Sequence, residues 1–158
     1  MLYDIVVDTN VFLHASNSEE ERHEYAQEFV TRLQEAEIIF CVDEGFSDIE
    51  SKNRSIIGGE YWRKLGAGTI GYEIVVHLAR TERVRIVPRK VDERRGRIIC
   101  RRIRDKSDRI FVKVAANSIE HRLVSHDFVD IPAVVRGRLR REIDVSVMDA
   151  EQILQEIA

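Results

Sequence analysis

Three aspartates occupy one kind of address in this 158-residue chain. Asp8 ends the apolar run Leu2–Val7, Asp127 lies just past the run Arg122–Ser125, and Asp108 opens a helical pattern shortly before that second run. A fourth acid is expected from a helix after the run Ile38–Val42, which Asp43 would cap and which would carry Glu44, Asp48 and Glu50; Asp48 lies one and a half turns into it. Carboxylates gathered in one cleft repel each other and are stable only when protonated or bound to cations. Hard oxygen donors suit Mg²⁺ or Mn²⁺, and ions held this way can activate a water and stabilise the leaving oxygen of a phosphodiester. Taken singly, Asp8, Asp108 and Asp127 each read first as a helix N-cap contributing about 1 kcal/mol. Their joint placement is what favours a site. Asp43 and Asp149 read as caps only, and Asp4 and Asp130 as solvated surface acids.

The elements that must position these acids follow from hydrophobic patterning. Short apolar runs at Leu2–Val7, Ile38–Val42, Val84–Val87 and Arg122–Ser125, and the alternation of Val145 and Val147, read as strands. Helical patterns cover 19–37, 70–80, a segment from Asp108 with Ile110, Phe111, Val114 and Ala115 on one face, 132–142, and a last helix after Asp149. Gly58 and Gly59 mark a break, and 89–104 reads as an exposed loop or hairpin. Strands alternating with helices predict one α/β domain over residues 1–158, a three-layer α/β/α arrangement on a mostly parallel sheet. In such a sheet ligands bind beyond the carboxyl ends of the strands, where Asp8 and Asp127 should both lie.

Net charge is −3, from 25 Lys and Arg against 28 Asp and Glu. That near balance conceals a segregation. Residues 80–109 hold thirteen Lys and Arg against five acids, a net +8, which leaves −11 on the remainder. The segment is dominated by Arg, which grips phosphate bidentately. Arg89, Arg94, Arg95, Arg97, Arg101 and Arg102 are therefore candidates for holding a nucleic-acid backbone, with a salt-bridged surface loop as the alternative. Arg136, Arg138, Arg140 and Arg141 read as a charged helix face. Tyr61, Trp62 and Tyr72 read as packing residues before base-stacking ones, and no histidine shows ligand spacing. His126, beside Asp127, either contacts a phosphate or points away. Two cysteines, Cys41 and Cys100, are too few for a disulfide framework and read as small buried hydrophobes. No apolar run reaches the ~20 residues of a membrane helix, and the first residues lack a signal-peptide pattern. A cytoplasmic protein without membrane contact is expected.

Val6-Val7-Asp8-Thr9-Asn10-Val11-Phe12 resembles the opening motif of PIN-domain nucleases. Asp105 to Ala115, a D-x-x-D run leading into an apolar helix, resembles that family's third-acid segment. Leu123-Val124-Ser125-His126-Asp127-Phe128 resembles its "T-x-D" strand end, and Val145 to Ile157 its closing unit. The resemblance implies a central parallel sheet and an Mg²⁺- or Mn²⁺-dependent ribonuclease. It makes Asp8, Asp108 and Asp127 metal ligands, with Asp48 as the second acid and Glu44 and Glu50 as its rivals. It gives Asn10, Ser125 and Asp105 supporting places around them. RNA or another nucleic acid is the implied partner, with an antitoxin or other protein partner and a homodimer as further expectations. A catalytically inactive PIN-like binding or interaction module is the alternative. The long basic segment departs from the compact toxin-type members.

Overall fold

The computed structural model describes residues 2–157. The chain builds β1 (Asp4–Val7), α1 (Thr9–Ala15), α2 (His23–Glu35), β2 (Ile39–Val42), α3 (Ile56–Lys64), α4 (Ile70–Arg80) and β3 (Val84–Ile86). There follow α5 (Glu93–Arg102), α6 (Lys106–Asn117), β4 (Arg122–Val124), α7 (Ala133–Ile143), β5 (Ser146–Met148) and α8 (Ala150–Ile157). The five strands form one all-parallel sheet in the order β3-β2-β1-β4-β5. The eight helices flank it, which makes the three-layer α/β/α fold that the alternation predicts. Helices α1, α2, α4 and α8 pack together, as do α5, α6 and α7, and α3 touches both α1 and α6.

Strand β1 is central, and each of its four residues is buried. This is why it reads as an unbroken apolar run rather than an alternating one. The chain leaves β1 for β2 and β3 on one side, then returns to lay β4 and β5 on the other. The carboxyl ends of β1 and β4 therefore flank the switch point of the sheet, where a crevice opens. An aromatic cluster lies beneath it. Tyr61 packs on Phe12 (ring centroids 5.4 Å), Phe40 (5.8 Å) and Phe111 (6.3 Å), and its hydroxyl donates to the carbonyl of Val7, the last residue of β1.

Several expectations change. Asp4 is no surface acid: it is fully buried, accepts from the amides of Ile119 (2.9 Å) and Glu120 (2.8 Å), and pairs with Arg85 (3.2 Å). No helix follows β2 directly. Residues 43–55 are an irregular loop with one short 3-10 turn at Glu50–Lys52. Asp43 instead reaches across the loop to the start of α3, accepting from the amides of Ile56 (2.8 Å) and Ile57 (3.0 Å) and from the Ser55 hydroxyl. Gly58 and Gly59 are no break but the first turns of α3. The 89–104 loop or hairpin is also corrected, because 93–102 is helix α5. Asp92 caps it by accepting from Arg95 N (2.9 Å), and Ile98 and Ile99 fix its inner face. With two core residues and charges on the remaining face, its apolar stripe is too narrow to dominate the pattern. Helix α2 starts at His23, four residues later than the 19–37 pattern suggests, and α6 starts at Lys106 with Asp105 as its cap. Cys41 is buried, but Cys100 is exposed on α5.

The loop packs on α3 closely enough to dictate one glycine. A Cβ at Gly58 would lie 2.5 Å from Asn53 Oδ1 and 3.1 Å from Phe46, and Asn53 is held by bonds from Ser47 N (3.1 Å) and to Ser55 O (3.0 Å). At Gly59 the nearest atom would be 3.7 Å away. Gly58→Ala is expected to destabilise the fold by about 1–3 kcal/mol. Gly59→Ala should be neutral or stabilising by up to ~1 kcal/mol. Urea unfolding of the two variants checks the contrast.

Candidate metal centre

The crevice is built from four elements. Asp8 leaves β1 with its carboxylate 3% exposed, accepting from Ser125 Oγ (2.8 Å) and Asn10 Nδ2 (3.3 Å). Ser125 Oγ also accepts from Asp127 N (3.1 Å), and Asn10 Oδ1 accepts from His126 N (3.0 Å). Asn10 and Ser125 thus lace the ends of β1 and β4 together. Asp127 accepts from the amides of Val129 (3.1 Å) and Asp130 (2.9 Å), so its carboxylate is fixed in a tight turn. Asp108 enters from the first turn of α6, and Asp105 caps that helix by accepting from Asp108 N (3.0 Å).

The acid that the structure brings beside Asp8 is Glu60; Asp48, Glu44 and Glu50 lie in the 43–55 loop. Glu60 is 6% exposed on α3 and accepts from Thr9 Oγ1 (2.8 Å) and Lys64 Nζ (3.2 Å). Its charge acts on Asp8. Its position follows from its neighbour: with Tyr61 locked beneath β1, the preceding residue is turned toward Thr9. Asp48 lies apart, paired with Arg80 (3.7 Å), and Glu44 pairs with Arg89 (3.3 Å). Ser55 as cap and Ile57, Tyr61 and Leu65 at a spacing of four are the sequence signal that marks α3.

Electrostatics sets this cluster apart from a set of helix caps. Burial pushes the Asp8 carboxyl up to about 6; the Ser125 hydrogen bond opposes this, and the charges of Glu60 and Asp127 add to it. Burial, with the charges of Asp8, Asp127, Asp105 and Asp130 behind it, pushes Asp108 up to about 8. Asp108 Oδ2 is buried with no hydrogen-bond partner, an arrangement that costs several kcal/mol for a charged group unless a cation meets it. Among the described residues, Lys64 with Glu60 is the one ion pair to these acids. An orphaned carboxylate oxygen among hard oxygen donors fits Mg²⁺ or Mn²⁺. Asp8, Glu60, Asp108 and Asp127 are the residues that would hold it.

No protein-family model matches the chain, and no curated protein matches it.

The surrounding residues divide into supports and bystanders. Arg136 is buried, not part of a solvated face. It donates to the carbonyls of Ile131 (2.7 Å), Ser125 (3.0 Å) and Asp127 (3.0 Å) and stacks on Phe128 (3.8 Å to the ring centre). It therefore pins the loop that carries Asp127. His126 points away from the acids: its Nε2 accepts from Ala150 N (3.1 Å) and its Nδ1 meets His14 Nδ1 (2.8 Å). Burial holds it down at about 3, so it is neutral and secures the start of α8. Tyr61 and Trp62 are buried in the core.

Most of the basic segment is engaged by the chain itself. Arg89 binds Asp43 (2.6 Å), Arg94 donates to Glu142 O (2.8 Å), Arg95 to Ala116 O (2.7 Å), and Arg102 pairs with Glu142 (2.6 Å). Arg97 pairs with Glu93 (2.7 Å) on the exposed face of α5, and Arg101 is exposed there too. A groove of about 350 Å³ lined by Arg102, Arg104, Val129, Asp130, Pro132 and Val135 runs beside the acids.

Two outcomes are expected. Because the folded-state carboxyl of Asp108 lies above its ordinary 3.8, its ionisation opposes folding, and stability of the metal-free protein falls as pH rises from about 4 to about 8. In EDTA, Asp108→Asn should therefore raise the melting temperature at pH 8 by at least about 2–4 °C, about 1 kcal/mol, and leave it unchanged at pH 4. Arg136→Met keeps the stem but strands three carbonyls. It should cost about 3 kcal/mol or more in urea unfolding.

Proposed function

We propose that the chain is a divalent-metal-dependent phosphodiesterase, a ribonuclease of the PIN-like type. The observation that carries this reading is the convergence of Asp8, Glu60, Asp108 and Asp127 at the switch point of a parallel sheet, with one buried carboxylate oxygen left unpartnered. The motif resemblance around Asp8, Asp105–Ala115 and Leu123–Phe128 supports the same class. When bound, Mg²⁺ or Mn²⁺ supplies Lewis-acid activation of the phosphodiester and of the attacking water.

The chain's own residues orient and exclude. Thr9 fixes one oxygen of Glu60, while Ser125 and Asn10 fix Oδ2 of Asp8, so neither carboxylate has to be ordered when substrate arrives. Lys64, held at Glu60 with its side chain half exposed, is placed to meet a phosphate oxygen. Arg104 and Arg102 line the groove along which a strand would approach, and Arg101 and Arg97 present further charge on α5. Phosphate contacts of this kind position a backbone without reading sequence. No helix among the described residues is long and apolar enough to cross a membrane.

Purified protein incubated with single-stranded and structured RNA in Mn²⁺, Mg²⁺ or EDTA tests the reading. Cleavage should require metal. Asp8→Asn and Glu60→Gln should each lower it by at least about 100-fold with the fold retained, whereas Asp48→Asn should leave it within about twofold. Full cleavage by Asp8→Asn would sink the proposal. RNA binding without metal dependence or cleavage would instead mark an inactive PIN-like binding module.

A further inference from the structure

The outward sides of α5 and α7 form one strongly basic surface. Within their ranges the two helices hold nine arginines against two glutamates. They pack on each other, and Arg94 of α5 donates to the carbonyl of Glu142 on α7 (2.8 Å). The other helical group has the opposite sign: α2 and α8, which also pack together, carry five glutamates against one arginine. A polyanion is therefore drawn to one face of the molecule and repelled by the other.

The chain's own acids occupy only some of these arginines. Arg102 pairs with Glu142, Arg97 with Glu93 and Arg140 with Asp144. Arg101, Arg104, Arg138 and Arg141 are exposed and make no ion pair among the described residues. Arg104 lines the groove beside the acids, and Pro132 and Val135 of the same groove lie at the start of α7. From there Val134, Arg138 and Arg141, at spacings of four and three, lead along the exposed side of α7 beyond the groove. With 11 residues, α7 is about 16 Å long, the rise of about five nucleotides of a stacked strand. An acidic protein fits this surface less well, because the exposed residues of α5 and α7 include no aromatic side chain to anchor it.

We infer that Arg101, Arg104, Arg138 and Arg141 form an exosite for the phosphate backbone of a polynucleotide, which follows α7 outward from the crevice and makes the protein favour long strands over short ones. Such contacts hold a strand by charge, so they weaken with salt and read no sequence. The inference rests on the nuclease reading for the identity of the polyanion, but on none of the acids of the crevice. Arg138 and Arg141 are the residues peculiar to the exosite, and as exposed side chains without an ion pair they can be replaced without loss of fold.

Fluorescence anisotropy of the full chain in EDTA, with labelled RNA of about four and about sixteen nucleotides, reads binding without cleavage. Wild type should bind the longer RNA at least about tenfold tighter. The double variant Arg138→Gln/Arg141→Gln, checked by circular dichroism, should lose at least about fivefold on the longer RNA and lower its salt slope by about one to two. DNA of the same length should lose as much. Arg138→Lys/Arg141→Lys should bind close to wild type, and so should Arg32→Gln, which removes a like charge from α2. Equal affinity for the two lengths, no loss in the double variant, a loss confined to RNA, an equal loss in Arg32→Gln, or equally tight binding of polyglutamate would each overturn the inference. Length-dependent binding without metal-dependent cleavage would count against the nuclease reading and leave the exosite standing.

Discussion

Asp8 and Asp108 are held within each other's field at a place that water scarcely screens. Unit charges about 5 Å apart repel by about 3 kcal/mol at an effective dielectric constant near 20, so a free chain would swing them apart. Here they cannot separate. Asp8 is bound to the exit of the central strand, and Ser125 and Asn10 fasten that exit to its neighbour. Asp108 sits on a helix that packs on β1, β2 and β4. The surrounding core therefore keeps the two carboxyls together, and Asp108 stays protonated near neutral pH unless a cation meets it. The orphaned Oδ2 of Asp108 is where that tension is most visible.

The basic segment gives a different account of charge from the one its composition suggests. A net +8 over thirty residues looks like a surface awaiting a polyanion. Much of it is instead spent on carbonyls and acids of the same chain. Arg83 serves the carbonyls that end α2 and enter β2, and Arg109 those that end α5. Arg suits this work because its planar fork satisfies several acceptors at once and stays charged when partly buried. Of the cations that remain, Lys90 lies ahead of α5, whereas Arg101, Arg104 and Lys106 cluster at the turn between α5 and α6, next to the acids. Attraction for a polyanion is thus concentrated near the crevice rather than spread over the segment.

What could be read from the sequence were the features that depend on neighbours in the chain. The buried run before Asp8, the helix at 70–80 and the Leu123–Asp127 strand end carry local patterns, and the parallel sheet follows from their alternation. Asn10 and Ser125, close in sequence to Asp8 and Asp127, both bond to Asp8. Glu60 was hidden because its position depends on contacts 51 and 54 residues away, at Thr9 and Val7, and because adjacent glycines look like a stop signal. Arg136 has the sequence context of a solvated helix face, and only the closing of the Ser125–Asp127 loop over it reveals three carbonyls waiting. Asp4 and Asp130 have the same ambiguity: an isolated aspartate has no periodicity, so nothing local tells capping, ion binding and solvation apart.

The way α3 is fastened bears on how this architecture can diverge. The helix that delivers Glu60 is anchored at its start by Asp43, at the exit of β2, and that same carboxylate is gripped by Arg89 beyond β3. The intervening 43–55 loop closes a circuit whose two ends are already joined. Lengthening such a loop costs only the slow logarithmic rise of closure entropy, about 0.6 kcal/mol per doubling. Insertions there, away from the Asn53–Gly58 contact, would reshape the outer wall of the molecule without moving an acid. The fold thus separates a region free to acquire new surfaces from the buried acids at the switch point of the sheet.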